Sequence, residues 1–453
     1  MTSDVQTQSW RDAWLLYMRP PVIAMLFLGF SAGLPLFLVF GTLSAWLREA
    51  GIERSTIGLV SWVTLFYGFK FVWAPLVDRL KLPLLTDILG HRRSWMLFAQ
   101  IGVITGLLLM AQADPSVQLR LLVLSALLVA FSSATQDISI DAWRIEAAPV
   151  DWQAAMAATY QIGYRLGMIV AGAGALYMAE FYSWHTAYLT MAVCMVLGVV
   201  TTTLIPEPDR QTIKETGRQE KRVVEFIARS QHLSPGLRNL VAWFIGAVVC
   251  PFTEFFSRNG ALAIAILLFI GVFRLSDITL GVMANPFYID MGFSKSDIAS
   301  VTKVFGLIIT MMGALVGGVL VARLGLMRML LICALLVAGT NLIFAWFATQ
   351  EARISYLILV ISADNLSGGM AGSAFIAFLS GLTNKAYTAT QYALFSSLML
   401  LPAKFLGGFT GFVVDGFGYP AFFVYASALG IPSIILVLYL MHNKVAEKIV
   451  QSS

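Results

Sequence analysis

Nine ionisable residues interrupt long apolar runs of the chain: Lys70, Asp137, Asp141, Arg165, Arg274, Asp277, Lys303, Asp364 and Lys404. If those runs cross a bilayer, each charge costs about 3 kcal/mol or more at the centre, so each is expected to face a cavity or a partner. Asp137 and Asp141 are four residues apart and share a helix face, with Gln136 beside them. Two carboxylates away from bulk water compete for a proton, which suits proton coupling. The alternative for Asp141 is a pair with Arg144 or with loop cations. Arg274 and Asp277, three apart, either neutralise each other or touch a substrate. Lys303 lies near the end of its run, where its long stem lets the ammonium reach the interface. Arg165 and Lys70 have no acid nearby on their own runs. Each needs a partner across a cavity or an anionic ligand. Arg165, Arg274 and Asp364 lie roughly 10–13 residues from the starts of their runs, near the membrane midplane at about 1.5 Å per residue.

The composition makes those runs membrane spans. Of 453 residues, 58% are hydrophobic and 12% charged, and the mean hydropathy is +0.79. An average soluble domain carries about 25% charge, so soluble and disordered classes are excluded. Runs of about 20 residues select helices over a β-barrel. Twelve spans are expected, at 22–46, 56–77, 95–113, 119–143, 154–180, 186–205, 261–287, 298–322, 327–349, 354–381, 388–414 and 419–441. Residues 1–21 contain Asp4, Arg11, Asp12 and Arg19 and lack the form of a cleaved signal, so the first span is expected to stay as an anchor.

This divides the chain into an N-terminal segment 1–21, a six-helix half 22–205, a linker 206–260, a second six-helix half 261–441 and a tail 442–453. The linker opens Pro206-Glu207-Pro208 and is rich in Arg, Lys and Glu. Its apolar run 239–252 is shorter than a span and is expected as an interfacial helix. With the N-terminus in the cytoplasm, twenty Lys and Arg fall on cytoplasmic segments and five on external loops. That bias places both termini and the linker inside. The net charge of +5 fits loops facing anionic lipid and implies no nucleic-acid partner. The three cysteines and four histidines are scattered, so no metal site is expected, and no phosphate-cradling loop points to ATP or another cofactor. Gly163/Gly167 and Gly407/Gly411, each four apart, read as close helix packing.

A weak repeat relates the halves. Ala74-Pro-Leu-Val-Asp78-Arg79, followed after an insertion by Gly90-His-Arg92-Arg93, stands between spans 2 and 3. Gly318-Val-Leu-Val-Ala322-Arg323-Leu-Gly325-Leu-Met-Arg328 stands between spans 8 and 9. Both resemble the loop signature of the major facilitator superfamily. The first copy lacks the leading Gly, and the second has Ala322 in place of the Asp. The resemblance implies an all-α membrane fold of two parallel six-helix halves that rock about a midplane site. Asp78, Arg79, Arg92, Arg93, Arg323 and Arg328 are then expected to gate it.

Further stretches resemble the AmpG-type muropeptide permeases of that superfamily: Gly29-Phe-Ser-Ala-Gly-Leu-Pro35, Phe69-Lys70-Phe-Val-Trp-Ala-Pro75, Ser133-Ala-Thr-Gln136-Asp137-Ile-Ser-Ile-Asp141-Ala-Trp143, Gly163-Tyr-Arg165-Leu-Gly167, Asp364-Asn365-Leu-Ser-Gly368-Gly369 and Thr388-Ala-Thr-Gln391-Tyr-Ala-Leu. The family more often has Glu at the position of Asp364 and Lys at that of Arg274. The resemblance implies import of GlcNAc-anhydroMurNAc, with or without peptide, across a bacterial inner membrane with protons. Such fragments serve wall recycling and, in some bacteria, β-lactamase induction. On that reading Arg165, with Lys70 or Arg274, holds carboxylates, and Gln136, Asn365 and Gln391 bond sugar or peptide amides. Asp137, Asp141, Asp277 and Asp364 are the candidate proton carriers, and the expected form is a monomer. Rival readings are a transporter of another bulky anion, such as acetyl-coenzyme A, and a light-harvesting assembly factor that does not transport. An enzyme fits least.

Overall fold

The computed structural model describes residues 10–52, 56, 60, 63, 65–208, 228, 234–407 and 409–445. Among them all the regular structure is helical. Eleven helices are long and apolar enough to cross a membrane, and ten of these fall on expected spans. The first is Pro20–Leu47, the third His91–Gln112, the fourth Pro115–Ala147, the fifth Val150–Phe181 and the sixth Trp184–Leu204. In the second half come the seventh (Leu262–Asp290), eighth (Ser300–Leu324), ninth (Leu326–Phe347) and tenth (Ile354–Leu382). Of the second span the described part ends in Leu65–Phe69, a 3-10 turn Lys70–Val72 and Ala74–Arg79. The eleventh runs through Thr388–Gly407 and resumes at Thr410. Gly418, at φ 77°, then turns the chain into the twelfth, a conformation that only glycine adopts without strain.

Spans 1 and 5 are held together by backbone proximity. A Cβ at Gly163 or Gly167 would strike the backbone of Leu26 or Phe30, and one at Gly29 or Gly33 that of Tyr160 or Tyr164. Without side chains in the seam the helices gain close van der Waals contact, which drives association in lipid. The second expected pair differs: Gly411 meets open space. Across the halves, Ala142 of the fourth span packs with Ala389 and Ala393 of the eleventh in one buried cluster.

The linker contains more helix than its apolar run suggests. Pro235–Phe244, a π-helical segment Ile245–Val249 and Cys250–Asn259 form one rod, of which Val241–Asn259 is the eleventh spanning-length helix. Polar residues beyond 252 continue the helix because Glu254 and Arg258 pair at 2.9 Å and both find partners on the second half. Arg258 donates to the Leu382 carbonyl at 2.6 Å, and Asn384 donates to Glu254 at 2.9 Å. The linker's Glu207 accepts from the backbone N–H of Arg92 (2.8 Å) and Arg93 (3.1 Å), capping the third span.

Candidate functional site

The charges sort into two layers. The first is a buried latch at the end of the bundle carrying the Asp78–Arg79 motif. Arg92, fully buried, donates to Asp78 at 2.7 Å and to Glu146 at 2.6 Å. Both carboxylates also reach the other half. Asp78 accepts from the backbone N–H of Ala389 (3.0 Å) and Thr390 (2.7 Å) and from the Thr390 hydroxyl. It therefore caps the eleventh span from across the interface, where a helix N-terminus favours an anion. Glu146 accepts from the Thr388 hydroxyl at 2.7 Å. Arg79 donates to the Gly246 carbonyl of the linker helix and lies over the Tyr387 ring. Arg93 bonds the carbonyls ending the sixth span, Thr202 and Thr203. In the second motif copy Ala322 has no carboxylate to play the part of Asp78, Arg323 is half-buried and Arg328 is exposed. The two motif copies are thus not equivalent.

The fourth span links this latch to the interior. Arg144 pairs with Asp141 at 3.2 Å, donates to Ser380 of the tenth span at 2.7 Å and lies 5.2 Å from the Tyr392 ring centre. Asp141 also takes Lys70, at 3.8 Å. So Asp141 is held between two cations, and Lys70 is committed to it. Asp137, one turn deeper, has no ion pair among the described residues. Its contact is the Tyr160 hydroxyl at 3.5 Å, with Lys70 and Asp141 in electrostatic range. Gln136 is fully buried, and neither of its amide atoms has a partner among the described residues.

The second layer lies midway along the spans. Arg274 breaks the seventh span into Leu262–Phe273 and Leu275–Asp290 and pairs with Asp277 at 2.7 Å. Asp364 of the tenth span faces that pair and has no bonded partner for its carboxylate among the described residues. Arg165 comes from the fifth span, in the first half. Its side chain is exposed, and it makes no hydrogen bond or ion pair among the described residues, although Arg274 and Asp277 are within electrostatic range. A broken helix thus stands beside two charges of opposite sign, Arg165 and Asp364, that make no ion pair among the described residues, an arrangement open to a ligand at that depth.

Two expected ligand residues are placed differently. Gln391 sits at the latch end. Its amide donates to the Pro251 carbonyl (2.9 Å) and Glu254 (2.8 Å) and accepts from the Asn384 N–H (2.8 Å), which ties the linker helix to the eleventh span. Asn365 joins spans 8 and 10, accepting from Thr310 at 2.7 Å and donating to the Ile361 carbonyl. The side chains of Lys303 and Lys404 lie outside the described residues. Sequence reasoning passed over Glu146, Tyr160, Ser380 and Thr388 because none is a charge inside an apolar run. For Glu146 a signal was available, two residues beyond Arg144 at the end of the fourth span.

The Major Facilitator Superfamily profile matches residues 25–407. The chain belongs to the major facilitator superfamily. Among curated proteins it is 35% identical to the anhydromuropeptide permease of Escherichia coli K12, over 93% of this chain and 80% of that one. It is 33% identical to AmpG 4 of Rickettsia felis, over 91% of this chain and 94% of that one. These relatives place it in the AmpG-type branch of the superfamily. Among solved structures, the proton:xylose symporter XylE aligns with a TM-score of 0.62 at 13% identity, over 95% of both chains, which supports the fold. The protein is a multi-pass membrane transporter of the major facilitator type.

Proposed function

We propose that the chain imports a 1,6-anhydromuropeptide, GlcNAc-anhydroMurNAc with or without peptide, from periplasm to cytoplasm together with protons. The observation that carries this reading is Arg165, an exposed guanidinium midway along the fifth span with no ion pair among the described residues, in a chain 35% identical to an anhydromuropeptide permease. A cation within a membrane span that has no acid partner is the kind of group an anionic ligand matches. A carboxylate can take two parallel N–H bonds from it. Gln136, buried and unpartnered, supplies hydrogen bonding nearby, whereas Gln391 and Asn365 serve the scaffold. Asp137 and Asp364, both without an ion pair, are the groups that take up and release protons. With the latch end in the cytoplasm, the conformation described is closed inward. Labelled GlcNAc-anhydroMurNAc should accumulate in proteoliposomes under an imposed proton gradient, and no accumulation under any gradient would remove the reading.

Two outcomes follow from the same assignment. Arg165→Lys keeps the charge and loses the fork, so it should weaken binding, and Arg165→Ala should cost on the order of 2–5 kcal/mol by leaving the ligand charge unpaired. Binding of the acidic ligand and of its amidated analogue decides the matter, since equal losses for both would reject the carboxylate role. For topology, Glu215→Cys should react with an impermeant thiol reagent only from the cytoplasmic side, as the Lys/Arg bias requires. Reaction from outside alone would invert the orientation.

A further inference from the structure

The tenth span presents Asp364, Gly368 and Gly372 at successive i, i+4 positions, so the three share one face. Two side chains from other spans approach its glycines. Asp277 Oδ1 lies 3.9 Å from where a Cβ on Gly368 would stand, and Gln161 Oε1 lies 2.8 Å from where one on Gly372 would stand. Gln161 belongs to the fifth span, one turn before Arg165 and on the same face. Its head therefore crosses the seam between the halves, about one helical turn, or roughly 6 Å, along the tenth span from the Asp277 carboxylate. Its amide nitrogen is buried and has no partner among the described residues. A buried donor left unsatisfied is expensive, and native structures keep one where something else completes it.

We propose that Gln161 is a ligand-binding residue that reads an amide or hydroxyl group of the substrate, and that Gly372 keeps the space in which it does so. Resting on the muropeptide reading above, this makes the site a two-point reader. Arg165 takes the carboxylate, and Gln161 takes a neutral amide about one helical turn away. An acetamido sugar carrying a carboxylate has both groups at that range. A residue larger than glycine at 372 meets the Gln161 head first, so Gly372→Ala should act through Gln161.

The test compares GlcNAc-anhydroMurNAc with an analogue whose acetamido groups are replaced by hydroxyls, using full-length protein in nanodiscs. Gln161→Met keeps the volume and removes the amide. It should weaken the acetamido ligand about ten-fold, the worth of one or two lost hydrogen bonds, and the analogue by clearly less. Gly372→Ala should reproduce that selectivity change, and adding Gln161→Met to it should cost little more. Equal losses for both ligands, or none, would overturn the proposal. A readout independent of the sugar is Gln161→Cys in a chain with Cys194, Cys250 and Cys333 replaced. Its modification by a small charged thiol reagent supports a cavity-lining position, and resistance to modification overturns it. Should wild type bind neither sugar while the Gln161→Cys variant is modified, the muropeptide reading falls and the placement of Gln161 in the cavity stands.

Discussion

Replacing Arg92 with Ala should destabilise the protein by about 3–5 kcal/mol, the range for removing one partner of a buried ion pair. Arg92 is fully buried between Asp78 and Glu146, at 2.7 and 2.6 Å, and both acids are themselves almost inaccessible. Removing the guanidinium leaves two carboxylates close together with hydroxyl and backbone donors but without their cation. Their repulsion acts on the groups that join the halves, Thr388, Ala389 and Thr390. The variant should therefore melt earlier and also shift toward the state open at the latch end. A cysteine introduced at Ser380, buried beside Arg144, reports that shift as faster labelling from the cytoplasmic side. Arg92→Lys should recover only part of either property, because an ammonium lacks the fork that spans two acids. Unchanged melting together with unchanged labelling would show that the latch is held by helix packing alone.

Asp137→Asn should abolish accumulation driven by a proton gradient while leaving the protein folded and inserted. Asparagine keeps the shape of the side chain and can still meet the Tyr160 hydroxyl, 3.5 Å away, but it cannot carry a proton. The neighbouring acid is a poor substitute, since Asp141 is held by Lys70 and Arg144. Substrate exchange between two loaded compartments, which needs no net proton movement, should survive. Asp141→Asn should behave differently. It frees Lys70 and Arg144, the latter bonded to Ser380 and lying over Tyr392, and should perturb the latch as well as uptake. If Asp137→Asn accumulates substrate as wild type does, the coupling proton rides elsewhere, and Asp364 is the next group to neutralise.

The membrane class and the presence of ionisable residues inside its spans were legible in the residues themselves, because each is a local property. Hydropathy over a span needs no knowledge of neighbours, and a charge inside such a span demands compensation wherever the helix goes. Local spacing also carried the Arg274–Asp277 pair, three apart on one helix, and the Arg144 alternative for Asp141.

Partner choice across spans was not local, and only the tertiary structure decided it. Lys70 and Asp141 are 71 positions apart in the chain and Asp78 and Thr390 are 312 apart; nothing in their spacing says that they meet. Gln391 was a candidate ligand residue only through its place in a stretch resembling the AmpG-type permeases, and in the fold it is tied to Pro251 and Glu254 of the linker helix. The linker helix grew past its apolar stretch because Glu254 and Arg258 are satisfied by groups on the second half. Arg165 stands apart from these for the same physical reason. Folding brought partners to Lys70, Arg92, Arg144 and Arg274, and it left Arg165 exposed with no ion pair among the described residues.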